Sequence, residues 1–361
     1  VLFYAPYQFF APLGLSPDFM LIALFRFLSF FPLSILQGIG ASSGWLVYLI
    51  SPSYRRRLQE NIRQAGFAKH TYRAVSEAGK SIFELPFIWY ASPERVLKTA
   101  KIEHWEIAQE ALDAQQGVIF LTPHLGCFEI TSQAIAAKAL ITALYRPPRK
   151  KALQPLMESA RTRTNLKLAP ANLTGVRNML KALKKGESVG LLPDQVPQQG
   201  EGVWADFFGR PAYTMTLSFK LHLMTGAPII LVYAERLSFG RGYIVRFSRF
   251  IPLAFQDTGI EIDPSFAGQG ARRPHGDSHA TTSNAAMRKK GRFISGILEG
   301  EGYTSSQHRD ETPEQQAGAI NLAMEKLITQ CPAQYIWSYN RYKTPAHIAT
   351  ASSVNASDNK L

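Results

Sequence analysis

The residues best placed to do chemistry are Thr122-Pro123-His124-Leu125-Gly126-Cys127-Phe128-Glu129. They directly follow the apolar run Gly117 to Thr122, which reads as a buried strand. On one continuous helix, residues five apart point about 140° away from each other. If the helix begins near Gly126, His124 precedes it and Glu129 falls in its first turn, so the carboxylate can reach back to the imidazole. A His–carboxylate pair suits general-base work: the carboxylate fixes the tautomer and stabilises the imidazolium, while the ring takes a proton from a hydroxyl. Chance spacing and a satisfied core histidine are the competing explanations for these two residues.

Other chemistries lack their signatures. There is no G-x-S-x-G elbow, Walker loop, H-E-x-x-H or paired Cys-x-x-Cys, and Gly268-Gln269-Gly270 has no strand before it. A serine hydrolase, an NTPase and a zinc enzyme are therefore disfavoured, and neither a metal nor a cofactor is expected. The two cysteines, Cys127 and Cys331, sit in apolar stretches, which excludes a disulfide scaffold. Nothing in the sequence activates either thiol as a nucleophile.

The elements that must position this loop read as an α/β domain. Strands are expected at Gly117–Thr122, Leu140–Tyr145, Ser188–Leu192, Pro228–Glu235, Tyr243–Phe250 and Tyr335–Tyr339. Helices are expected at Glu129–Lys138, Ala152–Arg163, Thr174–Lys185, Thr214–Thr225 and Glu314–Gln330. Such alternation predicts a mostly parallel central sheet flanked by helices, with the chemistry in loops at the carboxyl ends of strands. Two of those loops carry further candidates. Arg146 and Arg161 follow the second strand and suit phosphate or a developing negative charge, because guanidinium donates in pairs; a solvated basic face with Arg149, Lys150 and Lys151 explains them as well. Asp194 and Gln195 end the third strand, where Pro193-Asp194 is also ordinary turn chemistry. The aromatic segment Phe83–Tyr90 either lines an apolar tunnel or packs on the core.

The N-terminal part differs. The first 53 residues carry only Asp18 and Arg26, and the 24 residues from Phe27 to Ile50 carry no charge. Ser16-Pro17 predicts a helix start and Pro32 a break. This is either a bent transmembrane segment, a pair of apolar helices lying in the membrane interface or on the domain, or buried core. No basic n-region or cleavage site reads as a secretory signal. Arg55-Arg56-Arg57, Arg63, Lys69 and Arg73 follow at once, which predicts a cytoplasmic flank drawn to anionic headgroups. The organisation expected is thus a membrane-anchoring segment over 1–53, a basic amphipathic helical region over 54–100, and the α/β domain over 101–346. An irregular insertion at 257–312 interrupts the domain, and a disordered tail spans 347–361.

With His-x4-Glu in place, the chain resembles the glycerolipid-type acyltransferase superfamily, whose first block is His-x4-Asp/Glu after a strand. It is most similar to the lipid A biosynthesis acyltransferase branch. Tyr145-Arg146-Pro147, Leu192-Pro193-Asp194-Gln195, Asp206 to Pro211 with Thr214, Thr225 to Ile230, and Gln334 to Lys343 carry the resemblance in order. The long insertion departs from the pattern. The resemblance implies transfer of a fatty acyl chain from acyl carrier protein to a hydroxyl of a phosphorylated saccharolipid, at the cytoplasmic face of a bacterial inner membrane. It implies His124 and Glu129 as the base, with no covalent acyl-enzyme. It implies Arg161 as the arginine of the block after Tyr-Arg-Pro, with Arg163 as neighbour alternative, and Asp194 and Gln195 as the headgroup block. A lysophospholipid or another glycolipid as acceptor, or a non-catalytic basic membrane-peripheral protein, are the alternatives. The net charge of +13 suits an acidic carrier protein, a phosphorylated acceptor and membrane lipids. No nucleic-acid module is present.

Overall fold

A computed structural model describes residues 17–147, 157, 164–250 and 311–345. Helix α1 (Pro17–Ser29) begins at the expected proline, and Pro32 caps α2 (Leu33–Ile50), so the break falls where a ring without an N–H puts it. Helices α3 (Pro52–Gln64) and α4 (Thr71–Phe83) follow. By length and composition α2 can cross a bilayer. It nevertheless lays Leu33, Leu36, Gln37, Gly40, Gly44 and Tyr48 against the protein and leaves Ile35, Ile39, Leu46, Leu49 and Ile50 exposed. The contact with α4 is a backbone approach: a Cβ on Gly79 would lie 1.9 Å from the Gly40 carbonyl oxygen, so only glycine fits. The aromatic segment expected at Phe83–Tyr90 becomes the short helix α5 (Leu85–Tyr90), with Phe87, Ile88 and Trp89 buried, and α6 (Pro93–Leu97) follows.

The domain proper supplies β1 (Ala100–Glu103), α7 (Glu106–Asp113), β2 (Val118–Leu121), α8 (Phe128–Ala136), β3 (Ile141–Tyr145) and β4 (Leu166–Pro170). It continues with α9 (Leu173–Leu183), β5 (Ser188–Leu191), β6 (Gly202–Phe207), β7 (Arg210–Met215), α10 (Leu217–Thr225), β8 (Ile229–Arg236), β9 (Tyr243–Arg249) and α11 (Pro313–Gln330). Seven strands form one sheet in the order β1-β9-β8-β2-β5-β3-β4, parallel except at the β8–β9 pair. The hairpin β6–β7 stands apart. Strand β2 is central and buried on both faces: Ile119 and Leu121 enter one core, Val118 and Phe120 the other. That is why its sequence is an unbroken apolar run rather than an alternation.

Three expectations change. Tyr335–Tyr339 is not a strand: Tyr335 makes one isolated antiparallel bridge to Leu125, and the rest is turn, its rings packed on Phe67, Phe207 and Phe208. Thr214 and Met215 belong to β7 because the hairpin register claims them, so the helix starts at Leu217. Strands β1, β4, β6 and β7 lie outside the strands expected from the sequence; β4 is a short edge strand ending in Pro170, a position proline tolerates. The helix expected over 152–163 lies outside the described residues apart from Met157, which is helical. The tail lies wholly outside them. So does the insertion, except Glu311 and Thr312, the latter closing a capping box on α11.

Candidate active site

Because β2 and β5 are parallel neighbours, the loops after them meet at one end of the sheet. His124 stands in the first loop and Asp194 in the second. The His124 ring donates from Nδ1 to Asp194 Oδ1 at 2.8 Å, and the His124 backbone N–H donates to Asp194 Oδ2, also at 2.8 Å. On the other side of the ring, Gln195 Nε2 lies 2.9 Å from His124 Nε2. An amide nitrogen only donates, so His124 Nε2 accepts and the ring proton sits on Nδ1. That is the tautomer a general base acting through Nε2 requires. The His124 side chain is 17% exposed and that of Asp194 is 1% exposed: one reachable atom backed by a buried carboxylate. Burial pushes the Asp194 carboxyl up, but the His124 charge, the two His124 hydrogen bonds and the Arg341 charge outweigh it and hold the group below its ordinary value.

The loop itself is a strapped segment. Gly126 N–H donates to the Gln334 carbonyl, Cys127 N–H to that of Ala234, and Ile336 N–H to that of His124. Gly126 has φ +59°, and a Cβ there would lie 1.8 Å from the Ala234 oxygen, so no other residue fits this position. Helix α3 braces the strap, since Asn61 Nδ2 donates to the carbonyls of Trp337 and Tyr339. Below the loop, buried Arg236 donates to both Glu84 oxygens, to Glu77 and to the Gly126 carbonyl. Tyr243 and Gln37 also donate to Glu84. Burial alone would discharge this guanidinium, but Glu84 and Glu77 keep its proton on firmly. One cation therefore ties α2, α4, β8 and the His124 loop together.

The ring contact differs from the sequence expectation. The carboxylate on His124 Nδ1 is that of Asp194, from a loop seventy residues away, whereas buried Glu129 accepts from Trp89 Nε1 at 3.0 Å. Glu129 is only the second residue of α8, and Trp89 on the packed α5 claims one of its oxygens. Arg146 is exposed at the end of β3, and its charge is felt by Tyr339, whose hydroxyl accepts from the Val196 backbone N–H. Arg161 and Arg163 lie outside the described residues. Both thiols are silent: Cys127 is pushed well up by burial and then by the Glu84 charge, and Cys331 to about 12 by burial and then by Glu235. Trp89, Arg236 and Arg341 also support the site: Trp89 and Arg341 fall inside segments named from the sequence without a role of their own, and Arg236 is revealed only by its burial beside Glu77 and Glu84.

The sequence profile described as bacterial lipid A biosynthesis acyltransferase matches residues 13–258. The chain belongs to that family. It is similar to a lipid A biosynthesis acyltransferase of Haemophilus influenzae, 26% identical over 267 residues covering 69% of this chain and 83% of the relative. It also resembles two Escherichia coli proteins. One is a lipid A biosynthesis palmitoleoyltransferase, 23% identical over 74% of this chain and 69% of the relative. The other is a lipid A biosynthesis lauroyltransferase, 21% identical over 76% and 72%. As a member of the family, the chain is an acyltransferase of lipid A biosynthesis, and the family region takes in the His124 and Asp194 loops alike.

Proposed function

We propose that this enzyme transfers a fatty acyl chain from the thioester of acyl carrier protein to a hydroxyl of a phosphorylated lipid A precursor, with His124 as general base. The carrying observation is the paired environment of one ring: Nδ1 donates to a buried carboxylate, which leaves Nε2 as the proton acceptor. The acceptor hydroxyl displaces Gln195 from Nε2 and gives up its proton there as its oxygen bonds to the thioester carbonyl carbon. The carbon–sulfur bond then breaks, and the leaving thiolate takes the proton back from Nε2. Such a base contributes about 10²- to 10⁴-fold. Asp194 holds the tautomer and balances the imidazolium. Glu129, held by Trp89, adds a second negative charge in the first turn of α8. No acyl-enzyme is needed, because a thioester is already activated and both cysteines are buried as thiols.

Arg146 at the rim, together with Arg161 and Arg163 of the following segment, suits the acceptor's phosphates, and Gln195 its hydroxyl face. The exposed apolar side of α2 and the basic α3 favour work at a membrane surface, with the catalytic domain on the cytoplasmic side. The test is purified enzyme with radiolabelled acyl carrier protein thioester, offered a lipid A precursor, a lysophospholipid or a simpler glycolipid. Transfer to the lipid A precursor is expected. Transfer only to lysophospholipid reassigns the acceptor, and a folded enzyme that acylates none of the three returns the chain to a binding role.

A further inference from the structure

Besides the N-terminal helices, a second exposed apolar element stands at the active-site end of the sheet. Strand β8 runs parallel to β2, so the turn joining β8 to β9 emerges at the same end as the His124 loop. At its tip Phe239 is 89% exposed, in a left-handed backbone of φ 60°, ψ 30°. A soluble turn favours Gly, Asn or Asp in that conformation, not an aromatic side chain. The tip is fixed in place: a Cβ on Gly240 would lie 2.4 Å from the Ser34 backbone nitrogen, so the turn abuts the first residues of α2. Around that junction Phe27, Phe30, Ile35 and Ile39 are exposed as well. Positive charge accompanies them. Arg241 lies two residues after Phe239. Lys98 precedes Thr99, whose carbonyl accepts from Tyr243 N–H, and Arg26 and Arg95 line an open groove with Phe30 and Tyr90.

We propose that the β8–β9 turn is a second membrane anchor, with Phe239 entering the acyl region of an anionic bilayer beside the α1–α2 corner. The proposal rests on the membrane-surface reading above and specifies its geometry. Two anchors on one end of the sheet fix the enzyme's tilt and set the His124 loop against the headgroups. A large apolar tip accompanied by arginine and lysine in the adjoining segments is what an anionic lipid interface takes up.

The test uses the full chain with Phe239→Cys carrying a thiol-linked environment-sensitive fluorophore. Cys127 and Cys331, buried and held as thiols, leave that position the selective target. Vesicles of phosphatidylglycerol and phosphatidylethanolamine should shift the emission to the blue, and spin-labelled acyl chains should quench it. A label at Gln116→Cys, exposed before β2 at the opposite end of the sheet, should do neither. Phe239→Asp should weaken vesicle binding by about tenfold or more, with thermal stability and transfer to detergent-dispersed acceptor unchanged. If the protein co-floats with vesicles while the label at 239 stays in water, the turn is not an anchor although the enzyme is membrane-bound. If the label responds to acyl carrier protein and not to lipid, the tip is a protein-docking site and the proposal falls. A chain that does not co-float at all refutes the membrane-surface reading itself.

Discussion

Asp194→Asn is the most informative single change in the site, because it preserves shape and alters one property. The carboxylate accepts twice from His124, from the ring and from the backbone, each at 2.8 Å. An amide offers one acceptor and one donor. The backbone N–H is fixed by the strapped loop and keeps the oxygen. The NH2 group then faces Nδ1, which can only answer as an acceptor, so the ring proton moves to Nε2. There it meets the Gln195 amide, a second donor, and the base is lost. The kcat for transfer should therefore fall by the full contribution of the base, about 10²- to 10⁴-fold. Losing charge-assisted hydrogen bonds should cost about 1.5–3 kcal/mol of stability. The acid limb reports the same contact. Asp194 titrates lower in the folded chain than its unfolded value of about 3.9. Between those values the unfolded chain binds more protons, so the stabilisation is full above the unfolded value and disappears as pH falls through the folded one. The gap between wild type and Asp194→Asn in urea unfolding should hold constant near neutrality and close below about pH 4. Nitrogen-15 NMR of the labelled ring reads the tautomer directly. A folded variant within about threefold of wild-type kcat, or one whose proton remains on Nδ1, would refute the reasoning.

Other expectations follow from neighbouring contacts. Glu129→Gln keeps an acceptor for the Trp89 indole but removes a charge from the first turn of α8. At an effective dielectric near 20, a nearby charge is worth roughly 1–4 kcal/mol, so steady-state kcat should drop while the melting temperature changes little. Arg236→Met leaves Glu84 buried without its cation and Glu77 with Lys80 alone. It should cost about 3–5 kcal/mol in urea unfolding, whereas simultaneous Glu84→Gln should recover part of that loss. Neither native cysteine should react with iodoacetamide at pH 8 in the folded enzyme, and both should react in urea.

Much of the fold was legible because it rests on local pattern. The apolar run before His124 marks a strand buried on both faces, Pro17 and Pro32 mark helix boundaries, and Thr312 with Gln315 forms a cap within one turn. What escaped depends on distant chain. Tyr335–Tyr339 has the composition of a strand, yet its backbone bonds to the His124 loop and to Asn61 instead of a ladder. The site divides in the same way. His124 and Asp194 each stood out at a strand end, but their pairing is a consequence of sheet order, which places β5 beside β2 and carries no local signature. Nearness in sequence favoured Glu129, five residues on, while the packing of α5 gave that carboxylate to Trp89. The Arg236 cluster draws on α2, α4, β8 and β9 at once, so no window of sequence contains it.

The central claim is that one imidazole moves the proton, and the direct measurement is single-turnover acyl transfer by wild type and His124→Ala. Both proteins should unfold as cooperative units and bind the donor alike. Wild type should consume one thioester for each acylated lipid A precursor, with no acyl group retained on the protein after denaturation. His124→Ala should be slower by about 10²- to 10⁴-fold and should show no rate increase as pH rises through the range in which histidine loses its proton. A folded His124→Ala enzyme that transfers at the wild-type rate would contradict the account.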